Sequence, residues 1–229
     1  MLVDLIQEAV RIEGPRGPLA GALAYTEDAA LAACLLVNPH PHMGGRMSNN
    51  LIARLAAELP SAGLIALRFD YAGVGESPGE PIDLYASMAR FWATDTAPED
   101  PLMIEDARAA AGWLRSQAGL PVGLVGYSFG AYAAASIADA DTIGLAMISP
   151  TLTRHDFSTL AACAAPKLVV YSDDDFATPA DATQRWAGSL PNLRGAHRLA
   201  GGNHFFRGQE DRVADLCRRF FAECAGGSP

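Results

Sequence analysis

The stretch that most constrains the fold is residues 120–134, LPVGLVGYSFGAYAA. The apolar run from Val122 to Val125 predicts a short buried strand, and the alanine-rich run from Ala131 predicts a helix. Between them lies the string G-x-S-x-G, with Ser128 at its centre. This strand–turn–helix context favours a sharp turn that presents the Ser128 hydroxyl at the top of a sheet. The alternative is a chance Gly-rich turn with an incidental serine.

The two glycines of this turn have a steric reason. A side chain at Gly126 or Gly130 would crowd the chain where it doubles back. The segment resembles the nucleophile elbow of the α/β-hydrolases, in which the serine attacks the substrate. The resemblance implies an α/β-hydrolase fold, which is a mostly parallel twisted sheet with an N-terminal antiparallel hairpin, helices on both faces and a short lid insertion.

The remaining hydrophobic pattern fits this fold. Residues 8–26 alternate in places around a Pro/Gly turn and predict an antiparallel hairpin. From residue 31 onward, apolar runs alternate with helical patterns, which is typical of a parallel sheet covered by helices on both faces. The predicted strands of this sheet cover residues 31–37, 64–69, 122–125, 143–148, 167–171 and 195–200. In such sheets, functional residues lie at the carboxyl ends of the strands.

Length and composition bound the domain organisation and the partners. A chain of 229 residues, half of them hydrophobic, suits one α/β domain over residues 1–229, with 81–101 as a small lid insertion. The formal net charge of −9 disfavours nucleic-acid and anionic-membrane partners. Asp4 and Glu8 argue against a signal peptide, and no apolar run approaches the ~18 residues of a membrane helix.

The four cysteines show no metal-site spacing and predict reduced, mostly buried thiols. We therefore expect a cytoplasmic protein. The sequence predicts neither a cofactor nor a metal site, and it leaves the oligomeric state open.

A serine needs a base before it becomes a nucleophile, and the base needs an acid to orient it. The resemblance implies the chain order serine, acid, histidine. Of the histidines that follow Ser128, His204 lies in a loop just past the last predicted strand and is favoured as the base. His197 lies inside a strand pattern, and His155 precedes the acid candidates.

The acid is expected to follow the strand predicted at 167–171. Asp173, Asp174 and Asp175 all do so, and position alone does not distinguish them. Hydrolases of this family often show D-x-x-x-P here, which implies Asp175 with Pro179 and leaves Asp174 as the second choice. A metal site at this run lacks a nearby histidine.

Acyl transfer also needs an oxyanion hole. One donor is expected to be the backbone N–H of Phe129, the residue after the nucleophile. The loop after the first parallel strand reads N-P-H-P-H-M-G-G, and it resembles the H-P-H-P-x-x-G-G loop of small bacterial α/β-hydrolases, with Asn38 replacing the first histidine. The resemblance implies His40 as the second donor. His42 and Met43 are alternatives, and a zinc site at the two histidines lacks a third ligand.

Residues 68–77, RFDYAGVGES, match a strand-and-loop signature common in the same family. The glycines of this region miss the dinucleotide-binding spacing. Pro78 also blocks the helix start that such a site requires.

Residues 81–101 are the least family-like part of the chain. Three of their large side chains follow helical spacing. Two interpretations stay open: a small apolar lid that shapes an acyl pocket, or an amphipathic helix packed on the core. The predicted substrate pocket comprises Tyr127, Met43, Tyr85, Met88 and Trp92.

Together, the residues and the resemblance predict a serine hydrolase that cleaves a carboxylic ester or thioester through an acyl-enzyme. Ser128, Asp175 and His204 are the expected catalytic triad. The expected partner is a small acyl substrate, either free or bound to a carrier. An acyltransferase or cyclase of the same fold is the alternative among enzymes, and a catalytically dead binding protein is the alternative outside them.

Overall fold

The computed structural model describes residues 4–94 and 97–226, and within them eight strands form one sheet. The strands are β1 (Ile6–Gly14), β2 (Gly17–Tyr25), β3 (Ala32–Val37), β4 (Leu64–Phe69), β5 (Val122–Tyr127), β6 (Thr142–Ile148), β7 (Lys167–Asp174) and β8 (Leu193–Asn203). The helices are α1 (Asn50–Glu58), α2 (Leu84–Thr94), α3 (Asp100–Ala118), α4 (Phe129–Ile137), α5 (Ala180–Gly188) and α6 (Glu210–Cys224).

The strand order in the sheet is β1-β2-β4-β3-β5-β6-β7-β8. The pairs β1–β2 and β2–β4 are antiparallel, and every later neighbour pair is parallel. The predicted α/β architecture with an N-terminal hairpin is therefore confirmed. In the described part of the chain, no helix combines the length and the apolar character needed to cross a membrane.

Each central strand fills two cores at once. All of β3 is buried. Ala33, Leu35 and Val37 face the core beneath α3, α4 and α5. Cys34 and Leu36 face the opposite core, beneath α1 and α6. Successive strand residues point to opposite faces, which explains why a continuous apolar run was the correct signal for a central strand.

The parallel strands deliver the candidate site residues to one edge of the sheet. Ser128 directly follows β5, Asp175 follows β7 and His204 follows β8. The loop after β3 contains a short 3-10 turn at Pro41–Met43. Because the carboxyl ends of parallel strands meet at the same edge, these loops converge there.

Residues 81–101 form α2 and the first residues of α3, with 95 and 96 outside the described residues. The α2 helix packs against the 3-10 turn after β3. Its buried residue is Ser87, whose Oγ lies 3.2 Å from His42 Nδ1. The described helix is thus attached to the loop at the sheet edge.

A half-buried ion pair ties the N-terminal hairpin to α3. The Asp106 side chain is fully buried, and its Oδ2 accepts from Arg16 Nη2 at 2.6 Å and from the Ala72 N–H at 3.0 Å. Burial raises the pKa of Asp106, while the Ala72 N–H and the Arg16 guanidinium oppose that rise. One carboxylate therefore joins the hairpin turn, a helix and the loop after β4.

We expect Asp106→Ala to lower the free energy of unfolding by about 2 kcal/mol, because it leaves the buried Ala72 N–H unpaired and removes the partner of the half-buried Arg16. Urea unfolding measures the loss. The matched control is Asp215→Ala, which removes a partly exposed carboxylate on α6 and is expected to cost at most about 1 kcal/mol. Equal losses in the two variants would contradict the role given to Asp106.

Candidate active site

Ser128 occupies a strained turn between β5 and α4. Its backbone has φ 57° and ψ −121°, a region that residues other than glycine rarely adopt. The Ser128 N–H donates to the Ile148 carbonyl at 2.8 Å, which continues the β5–β6 pairing up to the turn. The serine is largely buried, yet it lines a cavity at the sheet edge.

Two glycines make this turn possible. A Cβ on Gly126 would lie 2.1 Å from the Gly130 carbonyl oxygen. A Cβ on Gly130 would lie 2.1 Å from the Val37 carbonyl oxygen and 2.5 Å from that of Asn38. The steric reason inferred from the sequence is confirmed at both positions. The second contact also brings the turn against the start of the loop that follows β3.

His204 joins Ser128 and Asp175 in one hydrogen-bonded chain. Its Nε2 lies 2.9 Å from Ser128 Oγ, and its Nδ1 lies 2.7 Å from Asp175 Oδ1. The side chains of His204 and Asp175 are only 3% and 2% exposed, so water competes little for these contacts. The arrangement suits a ring that donates from Nδ1 to the carboxylate and accepts the serine proton at Nε2.

The surroundings of Asp175 favour its ionised form. Its Oδ1 also accepts the Ala177 N–H at 2.8 Å. Burial raises the pKa of Asp175, but the hydrogen bond and charge of His204, together with the Ala177 N–H, outweigh burial and lower it overall. A charged carboxylate at this position stabilises the imidazolium that forms when His204 takes a proton.

The other aspartates and histidines considered as the acid or the base do not join the hydrogen-bonded chain of Ser128, His204 and Asp175. Asp173 pairs with Arg198, and Asp174 is exposed at the end of β7. His197 is exposed along β8. His155 lies in the cavity wall, where each of its ring nitrogens contacts another side chain.

Tyr127 in β5 fixes the backbone of the segment that carries His204. Tyr127 donates its hydroxyl to the His204 carbonyl oxygen at 2.8 Å. The prediction that Tyr127 lines the substrate pocket is wrong, because its buried ring belongs to the core beneath α1 and α6. Strand alternation places it on the opposite side from the cavity. Phe176 and Phe205 flank the His204 ring, with ring centres 4.6 and 5.6 Å away.

Phe129 and His40 lie side by side at the cavity. Phe129 is the first residue of α4, where N–H groups lack intrahelical acceptors and the helix dipole favours negative charge. The His40 ring lies edge-on to the Phe129 ring at 5.4 Å. Both residues line the same cavity as Ser128. This placement suits them to the two oxyanion donors expected from the sequence.

The alternative donors are already engaged. The Met43 N–H donates to the His40 carbonyl oxygen at 2.9 Å. The His42 N–H donates to His40 Nδ1 at 3.3 Å. Because the Met43 N–H closes the 3-10 turn and the His42 N–H bonds to the capping His40 ring, both are poorly placed to bind a substrate oxygen. Among residues 4–94 and 97–226, no group of three or more His, Cys, Asp or Glu side chains is placed to hold a metal ion.

Asn38, which replaces the first histidine of the family loop, links two strand ends. Its Nδ2 donates to the Phe69 carbonyl oxygen at the end of β4. The Tyr71 hydroxyl donates to the Asn38 carbonyl oxygen at 2.9 Å. Support for the loop therefore comes from the neighbouring strand and the residues after it.

A cavity of about 370 Å³ opens beside Ser128. Its apolar wall includes Met43, Phe91, Pro101, Ile104, Phe129 and Tyr132. The prediction that Tyr85, Met88 and Trp92 line this pocket is wrong. Tyr85 and Trp92 are 81% and 57% exposed, and α2 presents Phe91 to the cavity instead. Ser87, four residues before Phe91, is buried and lies on the same inner face of α2.

One wall of the cavity is polar, which the sequence analysis did not anticipate. His155 Nε2 lies 3.1 Å from Asp100 Oδ2, and His155 Nδ1 lies 2.7 Å from Thr151 Oγ1. These side chains come from the start of α3 and from the loop after β6. No short motif joins them, because Asp100 and His155 are 55 residues apart in the chain.

The fold of this chain is similar to those of several solved structures. An alpha-beta serine hydrolase homologue from Coxiella burnetii is 26% identical, has a TM-score of 0.78, and the match covers 93% of this chain and 96% of that one. A Xanthomonas campestris protein described as an α/β serine hydrolase without lid is 26% identical, with a TM-score of 0.80 and 97% coverage of both chains. The chain belongs to the α/β-hydrolase superfamily.

This similarity supports a hydrolase of the α/β-hydrolase fold. The hydrolase also resembles an uncharacterized protein of Rickettsia prowazekii, at 27% identity over 213 residues that cover 86% of this chain and 82% of the relative. Est1E from Butyrivibrio proteoclasticus, at 14% identity and a TM-score of 0.75 over 95% of this chain and 99% of that one, shares the fold. No protein-family model matches the chain.

The hydrogen bond between Asp175 and His204 predicts that Asp175, rather than Asp173 or Asp174, is required for activity. We expect Asp175→Asn to lower kcat by about 10⁴-fold, because an amide lets His204 adopt the tautomer that cannot accept the serine proton. Hydrolysis of p-nitrophenyl acetate measures the effect. Asp173→Asn and Asp174→Asn are the controls and are expected to keep most activity. A crippled Asp174→Asn with an active Asp175→Asn would reverse the assignment.

Proposed function

We propose that this hydrolase is a serine esterase or thioesterase that cleaves a carboxylic ester or thioester through an acyl-enzyme intermediate. The observation that carries the proposal is the continuous chain Ser128–His204–Asp175, with contacts of 2.9 and 2.7 Å. A serine hydroxyl becomes a useful nucleophile only next to such an oriented base.

In the proposed mechanism, Ser128 Oγ attacks the substrate carbonyl carbon while its proton passes to His204 Nε2. Asp175 stabilises the resulting imidazolium. The backbone N–H groups of Phe129 and His40 bind the oxyanion of the tetrahedral intermediate. A donor at such a site typically contributes about 10²- to 10³-fold in rate.

Collapse of the intermediate expels the alcohol or thiol, which takes the proton from His204. A water molecule then attacks the acyl carbon with His204 again as the base. The bond to Ser128 Oγ breaks, His204 returns its proton to that oxygen, and the acid product leaves. These steps need no cofactor.

The cavity supports a small acyl substrate. Its volume of about 370 Å³ and its mostly apolar wall suit a short aliphatic or aromatic acyl group. A screen of p-nitrophenyl esters and acyl thioesters of increasing chain length identifies the preferred group. Because the cavity opens at Ser128, the substrate is proposed to enter either free or presented on a carrier.

We expect Ser128→Ala to abolish turnover and to leave the urea unfolding midpoint close to that of the parent protein. A fluorophosphonate probe should label the parent and not the variant, since only an activated serine reacts. The control is Ser158→Ala, which alters an exposed serine bonded to Asp156 and should be labelled like the parent. Turnover by Ser128→Ala near the parental rate would contradict the serine mechanism, and a parent that resists labelling would indicate a binding protein.

The pH profile tests the base. Burial, with His42 and His155 nearby, lowers the pKa of His40 to about 3, and the pKa of Asp175 is also lowered. Neither group therefore changes charge between about pH 5 and pH 9. We expect kcat/KM to rise with pH across the range in which an imidazole base loses its proton, because only the neutral ring can accept one. A flat profile over this range would contradict a histidine base.

A further inference from the structure

The His40 ring is fixed in one tautomer. Its side chain is only 4% exposed. Nδ1 accepts the His42 N–H at 3.3 Å, so in the neutral ring the proton lies on Nε2. His40 therefore points a ring N–H away from the 3-10 turn and into the protein.

That ring N–H faces a carboxylate oxygen. His40 Nε2 lies 3.6 Å from Asp100 Oδ1, slightly beyond an ordinary hydrogen bond. Both atoms are buried, and neither has a hydrogen-bond partner among the described residues. An unpaired buried donor and acceptor are costly. A shift of a few tenths of an ångström would pair them.

The other side of the carboxylate is anchored. His155 Nε2 donates to Asp100 Oδ2 at 3.1 Å, and the Thr151 hydroxyl donates to His155 Nδ1 at 2.7 Å. The His155 ring also stacks on Tyr132, with ring centres 4.4 Å apart. The His155 ring, which is fixed by Thr151 and Tyr132, thus holds Asp100 in place.

The same part of the chain contacts the second histidine of the loop. Ser87 Oγ lies 3.2 Å from His42 Nδ1, and the Phe91 ring lies 4.8 Å from the His42 ring. The His40 and His42 rings lie 3.8 Å apart. The α2 helix therefore contacts His42, while Asp100 at the start of α3 faces His40.

We propose that Asp100 is a positioning residue for the oxyanion site, which it stabilises by binding the Nε2–H of His40. The inference rests on the proposed function, because the His40 backbone N–H is there the second oxyanion donor. Fixing the ring fixes the His40 backbone and the direction of that N–H. A displacement of about 1 Å at such a donor is enough to lower the rate about 10²-fold.

The test is Asp100→Asn, which keeps the side-chain size. An amide has one oxygen, so it cannot accept from both the His40 and His155 rings. The readout is inactivation by a fluorophosphonate, whose oxygen must enter the oxyanion site as Ser128 attacks. We expect the maximal inactivation rate to fall about 10- to 100-fold, while the half-saturating probe concentration changes less than about threefold. For p-nitrophenyl acetate, kcat should likewise fall about 10- to 100-fold, while KM changes less than about threefold.

A second variant and a control keep the test decisive. Thr151→Val removes the hydroxyl that sets the His155 tautomer, and it is expected to reduce the same rate in the same direction by a smaller factor, even if Asp100→Asn folds poorly. Asp83→Asn is the control, because Asp83 is an exposed aspartate that accepts the Ala86 N–H near the start of α2. Asp83→Asn should leave the maximal inactivation rate and the half-saturating probe concentration unchanged.

The outcomes separate the two proposals. A parental inactivation rate in both Asp100→Asn and Thr151→Val, or a change confined to the half-saturating concentration, would overturn the positioning role and leave the serine mechanism standing. A parent protein that is not labelled at Ser128 would overturn the proposed function and this inference with it.

Discussion

The site depends on a contact between two stretches of backbone. Gly130 approaches the carbonyl groups of Val37 and Asn38 so closely that no Cβ fits between them. The neighbouring strands β3 and β5 are in register, with Val37 opposite Gly126. The turn that presents Ser128 and the loop that carries His40 are therefore placed by the sheet itself. Side-chain packing then adjusts an arrangement whose main distances are already set by the parallel pairing.

Two carboxylate–histidine systems meet at the cavity and differ in one respect. His204 has one ring nitrogen bound to Asp175, and its other nitrogen faces Ser128. His155 also contacts a carboxylate, but its second nitrogen is occupied by a threonine hydroxyl. The two histidines therefore differ in the hydroxyl that their second nitrogen contacts: for His204 it belongs to Ser128 in the strained turn after β5, and for His155 to Thr151 in the loop after β6. The proposed base is the ring beside the strained serine, and the proposed positioning system is the ring that links Thr151 to Asp100.

The sequence predicted those parts of the site whose residues are neighbours in the chain. The turn around Ser128 was predictable because its requirements lie within five consecutive residues, and the spacing of Asp175 to Pro179 selected the aspartate that contacts His204. Tyr127 was misplaced because strand alternation turns it away from its neighbour Ser128. The polar cavity wall was missed because Asp100 and His155 meet only in three dimensions. The inner face of α2 was also missed, because the large side chains at helical spacing include the exposed Tyr85 and Trp92, whereas Phe91 lines the cavity.

The α2 helix contacts two parts of the site. Phe91 forms part of the cavity wall, and Ser87 contacts the loop that carries His40. A substitution on this helix is therefore expected to alter both the shape of the cavity and the support of the loop, so the two properties change together. Grafting the corresponding stretch from a relative would transfer both properties together, and an engineer seeking a new specificity alone would do better to alter the opposite wall.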